Sequence, residues 1–232
     1  MKRNNFISNL TAKSLAGVAV WALVLIAPSV GRATVVFSNL AGGSTKYNTS
    51  DGNTVGFDPV FSTDDAEGDT FLGTGLTFSN LQIAINCVAI GACPDNITVA
   101  LTANNGGQPG ATIESFTVAG GSIGIFGGNA LVNLSSVLHP VLSNGTRYWI
   151  TVEADLNDAL AWNLNSTGDT SAEANSQDGG ASWFSPSGFT PGAFEVDGTA
   201  NTSAPEPGTA ALLVSGGVLL GLFRRVRSQR NQ

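Results

Sequence analysis

Tyr148-Trp149-Ile150-Thr151-Val152-Glu153 is the stretch that decides the fold class. Tyr148, Ile150 and Val152 fall on one side of an extended chain, and Trp149, Thr151 and Glu153 fall on the other. Alternation with period two describes an antiparallel strand with one buried and one solvated face. The pattern recurs in Ile97, Val99 and Leu101 against Thr98, Ala100 and Thr102. It recurs again in Leu81, Ile83 and Ile85 against Gln82, Ala84 and Asn86, with Leu76 and Phe78 ahead of them. Shorter strand candidates lie at 35–38, 55–61, 113–118, 131–134, 160–163, 181–184 and 193–196. Between the runs stand the clusters Asn104-Asn105-Gly106-Gly107-Gln108-Pro109-Gly110, Ser143-Asn144-Gly145-Thr146 and Gln177-Asp178-Gly179-Gly180. These supply the positive-φ glycines and fixed proline geometry that reversals need. About ten short strands, with reversal signals and almost no helical periodicity, predict an all-β chain: an antiparallel β-sandwich, jelly-roll-like.

Charge narrows the partners. Between Thr34 and Ala204 there are two basic residues, Lys46 and Arg147, against sixteen acidic ones, a net −14 where the whole chain carries −7. Such a segment cannot neutralise phosphates, which excludes nucleic acid as a partner. It stays soluble by self-repulsion and attracts divalent cations. About 170 residues suffice for one hydrophobic core. Cys87 and Cys93 form a close, even pair. With a single histidine in the chain they offer too few ligands for zinc, so a disulfide is the expected state. Closing so short a loop contributes ~2 kcal/mol.

The candidates for chemistry are few. His139 is the only histidine, and no nucleophile motif accompanies it, so it reads as structural. The run Asp64-Asp65-Ala66-Glu67-Gly68-Asp69 reads either as a solvated acidic loop or as a calcium site built on Asp64, Asp65, Glu67 and Asp69. Its spacing is not that of an EF-hand, and Asp155 and Asp158 form a weaker group of the same kind. Calcium is therefore the one cofactor the sequence suggests. Trp149, Trp162 and Trp183 read either as core or as platforms that stack on sugar rings. A glycoside hydrolase needs two suitably spaced carboxylates, one with a raised pKa, and among sixteen some pair always qualifies, so no catalytic residue is assigned.

The two ends have a different character. Lys2, Arg3 and Lys13 precede the apolar stretch 15–27, and Gly31-Arg32-Ala33 offers small residues for cleavage after Ala33. This is the make-up of a secretory signal peptide, handled by the Sec translocon and signal peptidase. At the other end Pro205-Glu206-Pro207 is followed by a 16-residue apolar run, Gly208 to Phe223, and then by Arg224-Arg225-Val226-Arg227. The run is short for a permanent transmembrane helix, and arginines directly after it favour the cytoplasmic side. The expected organisation is a signal peptide at 1–33, a β-sandwich at 34–197, a linker at 198–204 and a terminal segment at 205–232.

The order of triplet, apolar run and arginine cluster closely resembles the PEP-CTERM sorting signal of exported bacterial proteins. That resemblance implies recognition by an exosortase through Pro205, Glu206, Pro207, Arg224, Arg225 and Arg227, transient anchoring in the inner membrane by the C-terminal helix, and delivery to the cell surface or extracellular matrix. A second set of pieces stands in sequence: Ile97-Thr98-Val99-Ala100-Leu101, the Gly106–Gly110 turn, Gly145-Thr146-Arg147-Tyr148-Trp149-Ile150, Trp162, Asp178-Gly179-Gly180 with Trp183, and Ala193-Phe194-Glu195-Val196-Asp197-Gly198. This set resembles the extracellular choice-of-anchor domains of type R over most of residues 70–198. It implies a secreted β-rich domain and no particular activity. Together the features lead one to expect a non-enzymatic surface or matrix protein of a biofilm, associated with exopolysaccharide. A carbohydrate-binding module, with or without calcium, is the alternative, and a polysaccharide hydrolase a more distant one.

Overall fold

The computed structural model describes residues 32–58, 61–88, 93, 95–154 and 159–200, which lie within one unit, Arg32–Asn201. Apart from a single 3-10 turn at Gly120–Ser122, its regular structure among the described residues is strand. In chain order the strands are β1 (Ala33–Ser38), β2 (Gly52–Asp58), β3 (Thr63–Leu72), β4 (Thr77–Ile83), β5 (Ile85–Cys87), β6 (Asn96–Asn105), β7 (Gln108–Ala119), β8 (Gly124–Ile125), β9 (Val132–Ser135), β10 (Arg147–Ala154), β11 (Ala159–Asn163), β12 (Glu173–Ser176) and β13 (Phe194–Thr199). They form a four-stranded sheet, β1-β13-β4-β9, and a larger one, β7-β6-β10-β3-β2-β11-β5-β8, with β12 added to β3. Every named strand pair is antiparallel except β5 with β8.

Aromatic side chains join the sheets. Phe194 of β13 packs on Phe37 of β1 with ring centroids 4.8 Å apart, and meets Trp162 of β11 edge-on at 5.9 Å. Phe71 of β3 touches Phe37, Phe194 and, at 5.8 Å, Tyr148 of β10. Around them Leu81, Ile83, Ile85, Ile97, Leu101, Ile150 and Val152 are buried in one core. Burial of this apolar area is the main stabilising contribution.

The β6–β7 hairpin follows its turn chemistry. Asn105 pairs with Gln108, so Gly106 and Gly107 form a two-residue reversal, with φ of 62° and 94°. Both signs suit glycine and match the twist of the flanking strands.

The structure departs from the sequence pattern in four places. The run from Leu81 to Asn86 is not one strand: Ile83 ends β4 in the small sheet and Ile85 opens β5 in the large one, with Ala84 as the crossing point. Phe78 and Leu81, three apart, are both buried because a register shift opposite Asp197 and Gly198 resets the phase. Residues 181–184 do not form a strand; Phe184 only bridges to Asn175. The acidic run is not a loop but forms most of β3, with Asp64 and Asp65 half-buried and Ala66 to Asp69 buried. Asp64 and Asp65 pair with β2, while from Ala66 onward the run pairs with β12 on that edge and, from Glu67, with β10 on the other, and pairing overrides the poor strand preference of Asp and Glu.

β10 also corrects the expectation of one wet face. Tyr148, Ile150 and Val152 face the core, yet Trp149 and Thr151 are buried too. On their side lie Gly68 and Pro109, with a Cβ at Gly68 falling 3.5 Å from the Trp149 ring and 3.0 Å from Pro109. The expected linker starts later than 198, since β13 continues to Thr199 and pairs there with Ala33, the residue that opens β1.

Candidate functional site

Asp65, Glu67, Asp69 and Phe71 occupy alternate positions of β3 and therefore share one face. That face is the core face: Asp69 stands opposite Ile150 of β10, Glu67 opposite Val152, and Phe71 opposite Tyr148. On the other edge Asp69 stands opposite Glu173 of β12, and Glu67 opposite Asn175. Register alone thus sets two carboxylates directly across from each other inside the protein, an arrangement that repels when both are charged. Asp69 is completely buried, and Glu67 and Glu173 are 5% and 4% exposed.

Their hydrogen bonding is incomplete. Asp69 Oδ2 accepts the Gly192 amide at 2.7 Å, and Asn175 Nδ2 donates to Glu67 Oε1 and, at 3.3 Å, to Glu173 Oε1. Asp69 Oδ1, Glu67 Oε2, Glu173 Oε2 and Asp65 Oδ1 are buried with no hydrogen-bond partner. Burial pushes the Asp69 carboxyl well above its ordinary pKa, Glu173 and Asp169 push it further, and the Gly192 amide opposes them. Burial likewise raises Glu67 well above its usual value, reinforced by Asp69, Glu173 and Asp65 against the Asn175 hydrogen bond. Glu173 is raised by burial, with the Asn175 and Asn53 side chains opposing. Among the described residues no three His, Cys, Asp or Glu side chains are disposed to hold one metal ion. Of the four residues proposed for calcium, Asp65, Glu67 and Asp69 share this face, while Asp64 projects from the opposite one, toward Gly179.

A second buried carboxylate is built the other way. Glu114 of β7 is 4% exposed. Its Oε2 accepts Ser136 Oγ at 2.7 Å, and its Oε1 accepts the amides of Val137 at 2.6 Å and Leu138 at 3.0 Å. His139, at φ 48°, closes this loop by donating its amide to Ser136 Oγ at 2.9 Å, which gives the single histidine a structural place. Burial pushes Glu114 up, but these bonds and nearby His139 outweigh it and leave its pKa below the ordinary value.

The tryptophans separate. Trp149 and Trp162 have no exposed surface and offer no ring face to a sugar, which corrects the stacking role considered for them. Each indole N–H is satisfied inside, Trp149 by Asn104 Oδ1 at 3.1 Å and Trp162 by the Ala193 carbonyl at 3.2 Å. Trp183 is partly exposed, beside Phe184 at 46% exposure. A groove of about 560 Å³ at the C-terminal end of β3 is lined by Phe37, Phe71, Leu72, Asn144, Arg147 and Ser171, among others. Cys87 and Cys93 are bonded, with Cα atoms 5.7 Å apart, and both sulfur-bearing residues are buried in the main core.

Asp155, Asp158 and the sorting residues Pro205, Glu206, Pro207, Arg224, Arg225 and Arg227 lie outside the described residues. Sequence reading passed over Glu114 and Glu173. Glu114 carried a signal, because it falls in phase with the half-buried Phe116 and the buried Val118 on β7. Glu173 carried none, since β12 is four residues long and polar.

Fold and site together define a two-sheet, antiparallel all-β domain with a buried disulfide and a row of buried carboxylates. No family model, no curated protein and no solved structure matches the chain.

Proposed function

We propose that this chain is an exported, non-enzymatic component of the cell surface or extracellular matrix, sorted through its C-terminus by an exosortase and associated with exopolysaccharide. The observation that carries the reading is the order Pro205-Glu206-Pro207, apolar run, arginine cluster, together with the signal-peptide features before Ala33. The buried Cys87–Cys93 bond supports it, because such bonds form and persist in oxidising compartments. We further assign the sandwich to the jelly-roll type, on the grounds that the chain passes repeatedly between the sheets and its first and last strands pair.

The test is the intact mass of the protein recovered from the surface and medium of its host. The reading expects a chain that starts near Thr34 and ends near Pro205–Pro207, with or without an added group. A mass running through to Gln232 would make the tail a plain anchor and overturn it. Deleting residues 205–232 is expected to abolish surface delivery, as read by fractionation.

A carbohydrate-binding role is favoured by one observation, the exposure of Trp183, Phe184 and Phe189 on a single segment. It predicts glycan-array binding that is lost in Trp183→Ala while the unfolding temperature is unchanged. Array binding retained by that variant would count against it.

A further inference from the structure

We propose that the Glu67–Asp69–Glu173 cluster is a pH-sensitive latch: it holds β12 against β3 while protons neutralise it, and releases β12 as the medium turns alkaline. The inference starts from register. β12 itself pairs with β3 through four residues, flanked by hydrogen bonds from Thr70 to Ala172 and between Asp64 and residues 177 and 179, and two of the four pairs, Asp69 with Glu173 and Glu67 with Asn175, place three carboxyl groups on one buried face.

Among the described residues every charged group facing the cluster is of the same sign. From β3 these are Asp65, Glu67 and Asp69, from β12 Glu173, and from the segment before β12 Asp169. β10 presents Ile150 and Val152 at the opposing positions, and Asn175, Asn53 and the Gly192 amide supply only neutral donors. Among the described residues no arginine, lysine or histidine contributes to the field at any of the three carboxyls. Three oxygens, one on each residue, are buried without partners. A carboxylate cannot stay charged there at low cost, whereas a protonated carboxyl gains a donor and can share it with its neighbour. Among the described residues no three of these side chains converge on a common metal position, and protons serve as the neutralising partner of the latch.

The sign follows from the raised pKa values. The closed cluster binds more protons than the open one, so its contribution is complete below the ordinary carboxyl range and is lost as pH rises through the raised values. The strand affected is short, with irregular chain before it and a turn after it, the kind of unit that opens without global unfolding. Ser171 and Ala172, just before β12, also line the groove at the end of β3, so release of β12 alters that groove.

Amide hydrogen exchange of the full-length protein between pH 5.5 and 8.5, corrected for the intrinsic rate, tests the latch. Opening that releases one proton makes the corrected exchange of residues 173–176 rise by up to about tenfold per pH unit, while β6 stays protected. Asp69→Asn is expected to flatten that slope; Glu173→Gln serves the same purpose if the first variant does not fold. Corrected exchange that is independent of pH in the native protein, or a slope that survives both substitutions, would overturn the proposal. So would protection restored at pH 8.5 by millimolar calcium and lost in Asp69→Asn, since that would make a cation the neutralising partner.

Discussion

Glu114 and Asp69 are both carboxylates buried in the same sandwich, and their environments act in opposite directions. Glu114 sits in a loop that turns two amides and a hydroxyl onto it, with His139 nearby. Asp69 sits in a strand, where backbone amides are already committed to neighbouring strands and the facing residues are an isoleucine on one side and an acid on the other. The difference teaches that burial alone does not decide the charge of a carboxyl; the local supply of donors does. Loops can offer free N–H groups, whereas the interior of a sheet has almost none to spare.

The largest break in that comparison is expected at Glu114. Glu114→Ala removes the acceptor for three donors and should lower stability at pH 7 by about 3 kcal/mol, measured by denaturant unfolding, since each bond to a charged group is worth roughly 1.5–3 kcal/mol gross of compensation. Because its folded pKa is lowered, this contribution is present above the ordinary glutamate range and lost as pH falls through the folded value. The penalty of Glu114→Gln should therefore shrink in acid.

Asp69→Asn goes the opposite way. It keeps an acceptor for Gly192 and removes the charge, so it should stabilise the protein by about 1–2 kcal/mol at pH 8 and by almost nothing at pH 4. Ser136→Ala withdraws one donor from Glu114 and should cost about 1 kcal/mol. The smallest effect is the coupling of Glu67→Gln with Asp69→Asn. Neutralising either relieves its repulsion with the other, so the double variant should gain about 0.5–1 kcal/mol less than the sum of the singles in thermal or chemical unfolding at pH 8.

Much of the fold was legible in the chain. The strands β4, β6 and β10, the Gly106-Gly107 hairpin and the cysteine pair are all present in the structure. Strand-period reasoning failed where the wet face it assumed is covered, as at Trp149, and where a run spans two sheets, as at Ala84. The acidic cluster was half legible. Asp65, Glu67 and Asp69 stand in phase with Phe71, which identifies the inner face once β3 is known to be a strand. Nothing in the sequence tells that β12 delivers Glu173 to that face, because the pairing is long-range and β12 has no apolar pattern of its own. The sorting residues present the reverse case, readable as a motif and lying outside the described residues.

The most direct test is a carboxyl-carbon NMR titration of the full-length protein in which Glu114, Glu67, Asp69 and Glu173 are followed in one sample. The account predicts that Glu114 titrates below the ordinary glutamate range, while Glu67, Asp69 and Glu173 titrate above the ordinary carboxyl range, with Glu67 and Asp69 the most displaced. Four carboxyls titrating together near ordinary values would contradict it, because their placement would then have no bearing on their charge.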